Sequence, residues 1–531
     1  MAPEDLIDAM SDPGFYPHRP ARVEFRQTHI SRVFVAGDFV YKTKKPLRLA
    51  FLDYSTLERR YHFCQEEVRL NQRLAPRVYL GVFAIMKNGA GFSIGTKPAQ
   101  RFDPQAVEYA VKMRRLPDDR NLERLVAGGQ ADAAQMRRIA FVLANFHILA
   151  ARERSMRYGS ADAIRRSVAT NLEECRPFVG ESINAARFAF LRDFADAFVT
   201  KHRDLLDRRA REGWVRDGHG DLRSEHVCIA DGIEIIDCVE FSEELRYADI
   251  ASDVGFLLMD LDRLRAPALG HALLRAYVAE IGDPDFSRLL NFYKCYRAAV
   301  RAKVASLKAI ENEVDVAQRS KARQSAHDYF EAAYHYAAVG SPAVIVVCGL
   351  PGTGKSTLAQ TLSERIGLEV LNSDAVRKNL AGIPPVERAG GGWAEGIYSQ
   401  EFSRATYQAL ADAAGARLRG GDGIIVDATY RDFAERVRLR EIALQAGVPI
   451  VFAECVIADD EARRRLEMRS QRPDTISDAT WDTYLRQKAS FAPFGREFDG
   501  CHLRLDGTRE AACNALEIEK FIAAHGSVVR A

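Results

Sequence analysis

The chain has 531 residues, and since one core usually serves about 100–200 residues, two to four domains are expected. Its 75 basic and 73 acidic side chains leave a net charge of +2, which gives no general attraction to nucleic acid or membranes. Nine scattered cysteines include no C-x-x-C pair, which argues against a zinc ribbon or a disulfide framework. With no readable signal peptide and no apolar run of membrane-spanning length, a cytoplasmic protein is expected.

The first 340 residues are predicted to form a β-rich small lobe, to about residue 115, and a helical lobe, about 116–340. Short apolar strands open the chain, and Gly37-Asp38 separates two of them as a hairpin turn would. The strands are predicted at Val23–Phe25, Arg32–Val35 and Phe39–Lys42. Helical patterns follow at Leu57–Leu74, Ala133–Ala151 and Ala185–Arg208. An α+β domain with two lobes is therefore expected.

A short hairpin in the helical lobe carries the first candidate site. Asp221 lies in the glycine-flanked loop Gly218–Leu222, and Asp237 follows the second hairpin strand, Ile233–Ile236. One carboxylate in a loop and another after a short hairpin suit a base and a metal ligand for phosphoryl transfer. The alternative is a turn system that only stabilises the hairpin.

The run His219-Gly220-Asp221 resembles the catalytic loop of aminoglycoside phosphotransferase-like kinases, which share the protein-kinase layout. The resemblance implies that Asp221 is the catalytic base and that Asp237 binds Mg²⁺. It also implies that Asp249 is the acid that braces the catalytic loop from below.

The small lobe fits the same resemblance. Lys42 ends a strand and would bind the α- and β-phosphates of ATP, with Glu67 or Glu66 on the next helix as its partner. Helical spacing does not choose between these two acids. The run Ala144–His147 also resembles a motif of that family. The alternative for Lys42 and Lys44 is a solvated position on the strand.

Two features depart from that family's pattern. The second-metal position, five residues after Asp221, is usually Asn there and is His226 here, beside Glu225. A neutral imidazole can bind a divalent ion, so His226 is a candidate metal ligand, but Mg²⁺ prefers oxygen ligands. Three interpretations stay open: Glu225 supplies an oxygen, the site holds a single Mg²⁺, or the domain has lost turnover. The sequence also has no G-x-G-x-x-G loop, and Thr28–Val33 is expected to cover the phosphates instead.

A domain boundary is predicted near residue 340, where Ala337–Pro342 separates a long helical stretch from an apolar strand. Residues 341–531 then alternate strand and helix, which predicts an α/β domain with a parallel sheet and helices on both faces.

The segment Gly349–Ser356 fits the pattern G-x-x-x-x-G-K-[ST] at every fixed position and follows the predicted strand Ala343–Cys348. In such a P-loop, backbone N–H groups and a helix N-terminus cradle phosphate oxygens. Lys355 is expected to reach the β- and γ-phosphates of ATP, and Ser356 Oγ to bind Mg²⁺. The predicted ATP-binding residues are Gly349, Leu350, Pro351, Gly352, Thr353, Gly354, Lys355, Ser356 and Thr357.

Charged residues follow the later strands. Asp374 is placed to accept a proton from a substrate hydroxyl, with helix capping as the alternative. Arg377, one helical turn on, would hold an anion on that substrate. Asp427 ends another buried strand and would support the Mg²⁺ shell, with turn formation as the alternative.

Arg465, Arg469 and Arg472 share one helical face, and Pro473 then ends the helix. Three arginines on one face predict a lid over the transferring phosphate, with Arg469 contacting the nucleotide. A solvated basic face is the alternative.

Residues 341–531 resemble the small P-loop kinases that include polynucleotide 5′-kinases, gluconate-kinase-like enzymes, antibiotic phosphotransferases and zeta-type toxins. The resemblance rests on the P-loop, the Asp374-x-x-Arg377 pair and the arginines. Two kinase-like units in this order resemble a bacterial fusion family, an aminoglycoside phosphotransferase-like domain joined to a P-loop kinase. This implies phosphoryl transfer from ATP to a hydroxyl group without naming the acceptor.

Three hypotheses follow for the whole chain. The first is an ATP- and Mg²⁺-dependent kinase with two sites, Asp374 and Asp221 as bases, and hydroxyl-bearing acceptors, a polynucleotide being a narrower variant. The second, motivated by His226, keeps only the P-loop half active and makes the N-terminal half a regulatory or inactive nucleotide-binding module. The third is an ATP-sensing or toxin-like regulator with little transfer. No membrane partner is expected, and the sequence does not indicate an oligomeric state.

Overall fold

The computed structural model describes residues 3–49, 52–89, 91–311, 314–384, 396–470 and 479–525. By packing, the chain divides into two compact units, each built from segments that are separate in the sequence. Unit 1 comprises Met1–Ile164, His202–Leu269 and Ala279–Ile281, and unit 2 comprises Arg165–Lys201, Gly270–Val278 and Gly282–Ala531. Several helices before residue 340 thus belong to the same compact unit as the sheet after it, and the domain boundary at residue 340 stays a prediction.

Twelve strands and twelve α-helices precede residue 340 in the described part of the chain. The strands are β1 (Val23–Gln27), β2 (Ser31–Ala36), β3 (Phe39–Lys44), β4 (Arg48–Leu49), β5 (Leu52–Asp53), β6 (Tyr79–Asn88), β7 (Gly91–Ile94), β8 (Glu108–Arg114), β9 (Val215–Asp217), β10 (Val227–Ile229), β11 (Ile233–Ile235) and β12 (Tyr247–Asp249). The helices are α1 (Pro3–Ser11), α2 (Leu57–Asn71), α3 (Leu122–Ala127), α4 (Ala133–Leu149), α5 (Ala161–Cys175), α6 (Ala185–Lys201), α7 (Arg203–Glu212), α8 (Glu243–Arg246), α9 (Ile250–Arg263), α10 (Pro267–Ile281), α11 (Phe286–Ile310) and α12 (Val316–Val339).

Unit 1 contains an antiparallel sheet of six strands in the order β1-β2-β3-β8-β6-β7. Side chains alternate between its two faces, so Tyr41 of β3 packs in the apolar cluster of α1, while its neighbour Val40 packs in that of α2. Lys42 and Lys44 share the parity of Val40 and therefore lie on the α2 side of the sheet. The remaining strands of unit 1 form small antiparallel pairs, β4 with β5, β9 with β12, and β10 with β11.

The single helix predicted at Ala185–Arg208 is wrong, because the structure contains two helices there, α6 and α7, which are interrupted at His202. His202 has φ −101° and ψ 20°, outside the α-helical region. It is also the residue at which the chain passes from unit 2 to unit 1.

Unit 2 contains a parallel sheet of five strands, as predicted for residues 341–531. The strands are β13 (Val344–Cys348), β14 (Val370–Asn372), β15 (Ile424–Asp427), β16 (Ile450–Val456) and β17 (His502–Asp506), in the spatial order β14-β15-β13-β16-β17. The helices are α13 (Lys355–Ile366), α14 (Ser373–Leu380), α15 (Gln400–Arg419), α16 (Phe433–Gln445), α17 (Asp459–Ser470), α18 (Trp481–Ala489) and α19 (Ala511–His525). Successive residues of β13 pack into different apolar clusters, so both faces of the sheet are covered.

The parallel register places the ends of three strands of unit 2 side by side. Asp427, the last residue of β15, pairs with Val347 of β13 on one side and with Asn372 of β14 on the other. Because ligands of open α/β sheets bind beyond the carboxyl ends of strands, this edge is where a site is expected. In the described ranges, no helix combines the length and the apolar composition that crossing a bilayer requires.

Candidate active sites

The first candidate site lies in unit 1, where β3, α2 and the β10–β11 hairpin contribute charged side chains. Lys42 Nζ donates a hydrogen bond to Asp237 Oδ1 at 2.8 Å and lies 2.9 Å from Glu67 Oε1. Glu66 instead pairs with Arg69 at 2.6 Å, so the structure selects Glu67 as the acid beside Lys42. The side chain of Lys42 is only 15% exposed, which rules out the alternative of a solvated lysine.

The charges of this cluster support one another. Burial acts to lower the pKa of Lys42, but Asp237 and Glu67 outweigh it and hold that pKa well above its ordinary value. Lys42 in turn is the main cause that holds the pKa of Asp237 far below the usual range. Both groups are therefore charged at neutral pH.

Lys44 extends the cluster, and this role of Lys44 was not predicted from the sequence. Its Nζ donates to Glu67 Oε2 at 2.5 Å and also pairs with Glu240. Glu240 Oε1 accepts a further hydrogen bond from Tyr54 OH at 2.6 Å. Two lysines at alternate positions of one strand were the available signal, because such residues share a face of the sheet.

The predicted base, Asp221, is held by an arginine two residues further on. Arg223 Nε lies 3.1 Å from both Asp221 carboxylate oxygens, and Arg223 Nη2 lies 3.0 Å from Oδ2. Arg223 Nη2 also lies 3.1 Å from His226 Nε2. Arg223 was not predictable from the sequence, because a basic residue at this spacing carries no motif of its own.

His226 occupies the position between the two carboxylates. Its Nδ1 lies 2.8 Å from the carbonyl oxygen of Asp221, and its Nε2 lies 3.7 Å from Asp237 Oδ2. Burial first and Arg223 second lower the pKa of His226, so the imidazole is neutral at pH 7. The tautomer that satisfies both contacts donates from Nδ1 to the carbonyl and accepts at Nε2 from Arg223.

The prediction that Asp249 braces the catalytic loop is wrong. Asp249 pairs with buried Arg209, whose Nε and Nη2 lie 2.7 and 2.9 Å from its oxygens. Asp253, one turn further along α9, is the acid that accepts hydrogen bonds from the backbone N–H groups of His219 at 2.5 Å and Gly220 at 2.9 Å. A Cβ atom at position 218 would lie 2.3 Å from Asp253 Oδ2, so glycine is needed there for the carboxylate to approach.

The second candidate site is the P-loop of unit 2. Gly349, Gly352 and Gly354 have φ values of 128°, 81° and 94°, which favour glycine because other residues are strained there. A Cβ atom on Gly349 would lie 2.4 Å from the carbonyl oxygen of Cys455, so the first glycine is also fixed by space. Helix α13 begins at Lys355, whose Nζ donates to the carbonyl oxygen of Leu350 at 2.8 Å across the loop.

Asp427 and Ser356 meet at the end of this loop. Asp427 is 2% exposed, accepts a hydrogen bond from Asn372 Nδ2 at 2.7 Å and forms another with Ser356. Burial raises the pKa of Asp427 despite the nearby Lys355, and burial lowers the pKa of Lys355. A hydroxyl beside a carboxylate at the start of a P-loop helix is the donor set that fits Mg²⁺ bound to nucleotide phosphates.

Asp374 lies in the first turn of α14, but it is not the residue that caps this helix. The cap is Asn372, whose side chain accepts from the backbone N–H of Ala375 at 3.0 Å. Arg377 is buried, and its Nη1 donates to the carbonyl oxygen of Ile397 at 2.8 Å and to Ser403 Oγ at 3.1 Å. The role of Asp374 as base and that of Arg377 as anion ligand stay predictions.

The arginines of α17 differ in their surroundings. Arg465 Nε lies 2.6 Å from Glu461, and its Nη1 donates to the carbonyl oxygen of Gly507 at 3.0 Å. Arg469 Nη2 donates to the carbonyl oxygen of Ala479 at 2.9 Å, and its charge acts on Lys355. Arg472 lies outside the described residues, and the arginine lid stays a prediction.

Both sites fit phosphate groups, but they offer different metal ligands. The P-loop would hold phosphates through its backbone and Lys355, and a divalent ion through Ser356 and Asp427. At the first site Asp237, whose side chain is 47% exposed, would offer a carboxylate ligand. Within the described segments, no group of three or more His, Cys, Asp or Glu side chains is arranged to hold a metal ion alone. Mg²⁺ in kinases needs only one or two carboxylates, because phosphate oxygens supply further ligands.

Comparisons with known proteins agree with this division into two kinase-like regions. Residues 65–290 match the phosphotransferase enzyme family, and residues 344–494 match an AAA domain family. The uncharacterized protein Rv2004c of Mycobacterium tuberculosis is 32% identical over 450 residues, which cover 84% of this chain and 86% of that protein. The chain belongs to the family of this mycobacterial protein. It is a fusion of a phosphotransferase-family kinase domain with a P-loop kinase domain, as the motifs predicted.

Other similarities cover one region each. A shikimate kinase of Saccharopolyspora erythraea is 30% identical over 183 residues, 34% of this chain and 95% of that enzyme. The solved choline/ethanolamine kinase family protein of Mesorhizobium loti is 13% identical, with a TM-score of 0.38, and covers 62% of this chain and 94% of that protein. Both regions of this fusion belong to kinase families, so the predicted fold class and the prediction of a phosphotransferase enzyme are confirmed. These families imply ATP with a divalent metal.

Proposed function

We propose that this fusion protein is an ATP-dependent kinase with two sites, each of which transfers the γ-phosphate of ATP to a hydroxyl group of a small-molecule acceptor. The observation that carries the proposal is the convergence at one sheet edge of Lys355, Ser356, Asp427 and Asp374. The first three suit the phosphates and the metal, and the fourth is a carboxylate within electrostatic range of Lys355.

At the P-loop site, Asp374 would accept the proton of the acceptor hydroxyl as that oxygen attacks phosphorus. Lys355 would stabilise the negative charge that develops on the phosphate oxygens, and Ser356 with Asp427 would hold Mg²⁺. Bound Mg²⁺-ATP supplies the transferable phosphoryl group. Arg377, close to Asp374 in sequence and fixed by Ser403, would orient an anionic group of the acceptor.

At the unit 1 site, Asp221 would be the base, Asp237 the Mg²⁺ ligand and Lys42 the phosphate ligand. Support comes from the chain of contacts that links Lys42 to Asp237, Asp237 to His226 and His226 to Asp221. Asp253 fixes the backbone that carries Asp221, so the base is on a rigid loop.

A second candidate function keeps only the P-loop site active and makes unit 1 a nucleotide-binding regulatory module. Two contacts favour it: Arg223 engages the Asp221 carboxylate, and His226 presents nitrogen where an oxygen ligand would suit Mg²⁺ better. A base paired with a guanidinium in this way is a poor proton acceptor until the arginine moves.

The test is to purify the chain and its Asp221→Asn and Asp374→Asn variants, and to incubate each with γ-labelled ATP, Mg²⁺ and a metabolite extract. Two active sites predict two labelled products, and each variant loses only one of them. A single product that depends on Asp374 alone would favour the regulatory candidate. Asp231→Asn in the β10–β11 turn and Asp412→Asn at an exposed position of α15 are the matched controls, which should leave labelling unchanged. If neither the unmodified chain nor any variant gives a labelled product, both candidate functions are contradicted.

A further inference from the structure

A second buried lysine lies beside the lysine that the kinase resemblance assigns to nucleotide phosphates. Lys44 Nζ donates to Glu67 Oε2 at 2.5 Å and pairs with Glu240, which in turn accepts a hydrogen bond from Tyr54 OH at 2.6 Å. The side chains of Lys44 and Glu67 are each 1% exposed, and that of Glu240 is 6% exposed. This closed set of charges is more than the single lysine and glutamate that the kinase resemblance calls for.

Glu67 contacts the two lysines in different ways. Its Oε2 accepts a hydrogen bond from Lys44, whereas its Oε1 accepts no hydrogen bond from any residue that the structure describes, although Lys42 Nζ lies 2.9 Å away. Lys42 directs its hydrogen bond to Asp237 Oδ1 at 2.8 Å, on a side chain that is 47% exposed. Both acids beside Lys44 are therefore closed to solvent, whereas Lys42 has one partner closed to solvent, Glu67, and one open to it, Asp237.

The charge balance explains why a second lysine matters. When Lys42 turns from Asp237 towards a phosphate, it weakens its attraction to Glu67 as well. With a single lysine, Glu67 would then be a buried carboxylate that shares its one cation with a phosphate, which is costly. Because Lys44 stays with Glu67 and Glu240, Lys42 is able to move without leaving a buried charge behind.

We propose that Lys44 is a positioning residue. It pairs with the buried acids, so that Lys42 remains available to bind phosphates. Lys44 holds Glu67 of α2 and Glu240, three residues after the proposed metal ligand Asp237, in a fixed arrangement with β3. Lys42 then exchanges Asp237 for the phosphates of a nucleotide. This inference rests on the proposed nucleotide site of unit 1.

The experiment uses the full chain with Lys355→Ala, which removes the phosphate lysine of the other site. In this background we compare Lys42→Met, Lys44→Met and Lys44→Met/Glu240→Gln. The double variant is included in case Lys44→Met does not fold, because it removes both charges and leaves no uncompensated Glu240. Lys112→Met is the matched control, because Lys112 lies on the same sheet but over the rings of Phe39 and Tyr41. Tm without nucleotide and affinity for a non-hydrolysable Mg²⁺-ATP analogue are measured for each variant, the affinity at a temperature where the variant is folded.

Division of the task predicts that Lys42→Met weakens analogue binding by about tenfold or more, because a charge-assisted contact is lost, and lowers Tm only slightly. Lys44→Met/Glu240→Gln should lower Tm more and still weaken binding by about threefold to tenfold, since Lys42 is drawn to Glu67. A role in stability alone would lower Tm and leave affinity at the parent value, which overturns the proposal, as would equal losses of Tm for Lys42→Met and Lys44→Met. If the Lys355→Ala parent binds no analogue, the proposed nucleotide site of unit 1 is wrong and this inference is overturned with it.

Discussion

The two candidate sites prepare for phosphate in different ways. The P-loop uses backbone: three glycines with positive φ, one helix N-terminus and one lysine, all within eight consecutive residues. The unit 1 site uses side-chain charges from distant parts of the sequence: Lys42 meets Asp237 across 195 positions, and Lys44 meets Glu240 across 196. A site formed by the backbone of consecutive residues can be recognised in the sequence as a local motif. A site formed by side-chain charges from distant residues cannot, because only the fold brings those charges together.

The comparison predicts that the stability of unit 1 is most sensitive to the loss of one buried carboxylate, Glu67. Glu67→Gln removes the charge that Lys44 and Lys42 share, and breaking a buried ion pair by removing one partner costs about 3–5 kcal/mol of unfolding free energy. Urea unfolding measures the loss, and faster hydrogen exchange of amides on β3 and α2 would locate it. Glu66→Gln, on the same helix but paired with Arg69 at the surface, is the matched control and should cost less than about 1 kcal/mol. Similar losses for both variants would mean that the cluster does not depend on charge.

The P-loop should instead be most sensitive to its backbone. Gly349→Ala places a Cβ atom 2.4 Å from the carbonyl oxygen of Cys455 at a residue with φ 128°. Strain of this kind costs about 1–3 kcal/mol, and a displaced loop should also lose ATP affinity. Calorimetric titration with ATP and urea unfolding measure the two effects. Gly447→Ala, also with positive φ but with open space around it, is the control for conformational strain alone and should leave ATP affinity intact.

The proposed catalytic loop of unit 1 is held by Asp253, a residue that was not predicted from the sequence. Asp253→Asn replaces a carboxylate that accepts two backbone hydrogen bonds, and hydrogen bonds to charged groups are worth about 1.5–3 kcal/mol. Asn still accepts one of them, so we expect a loss near the lower end of that range and faster hydrogen exchange at His219 and Gly220. If exchange at these two amides is unchanged in Asp253→Asn, the assignment of Asp253 as the brace is wrong.

The two sites differ in how much of them could be predicted from the sequence. The P-loop, its following helix and the end of β15 were predictable, because strand, turn and helix signals are local and a parallel sheet aligns strand ends. The choice of Glu67 over Glu66 was not, since both acids lie on one helix and only the position of β3 decides between them. Asp253 and Asp249 are four residues apart, and the difference between them is set by Arg209, which no motif connects to either acid. Arg223 and Glu240 were missed because their partners are fixed by loop geometry.

The smallest expected effect concerns pH and the metal ligand of the P-loop. Burial raises the pKa of Asp427 in the folded protein, so between its ordinary value and its folded value the native state binds more protons than the unfolded state. Stability contributed by this group therefore falls as the pH rises through that window and stays reduced at neutral pH. Asp427→Asn removes the penalty, keeps an acceptor for Asn372 Nδ2, and should raise the unfolding free energy of the nucleotide-free protein at pH 7 by up to about 1 kcal/mol.

The same Asp427→Asn variant should lose Mg²⁺-dependent stabilisation by ATP, because a neutral amide is a weaker ligand for a hard cation than a carboxylate. Urea unfolding between pH 4 and pH 8, with and without Mg²⁺-ATP, separates the two effects, and Asp432→Asn, at the exposed cap of α16, controls for a change of net charge. A variant that is less stable than the parent at pH 7 without nucleotide would show that the Asp427 charge stabilises the strand edge, which would bring the P-loop closer in character to the charge-built site of unit 1.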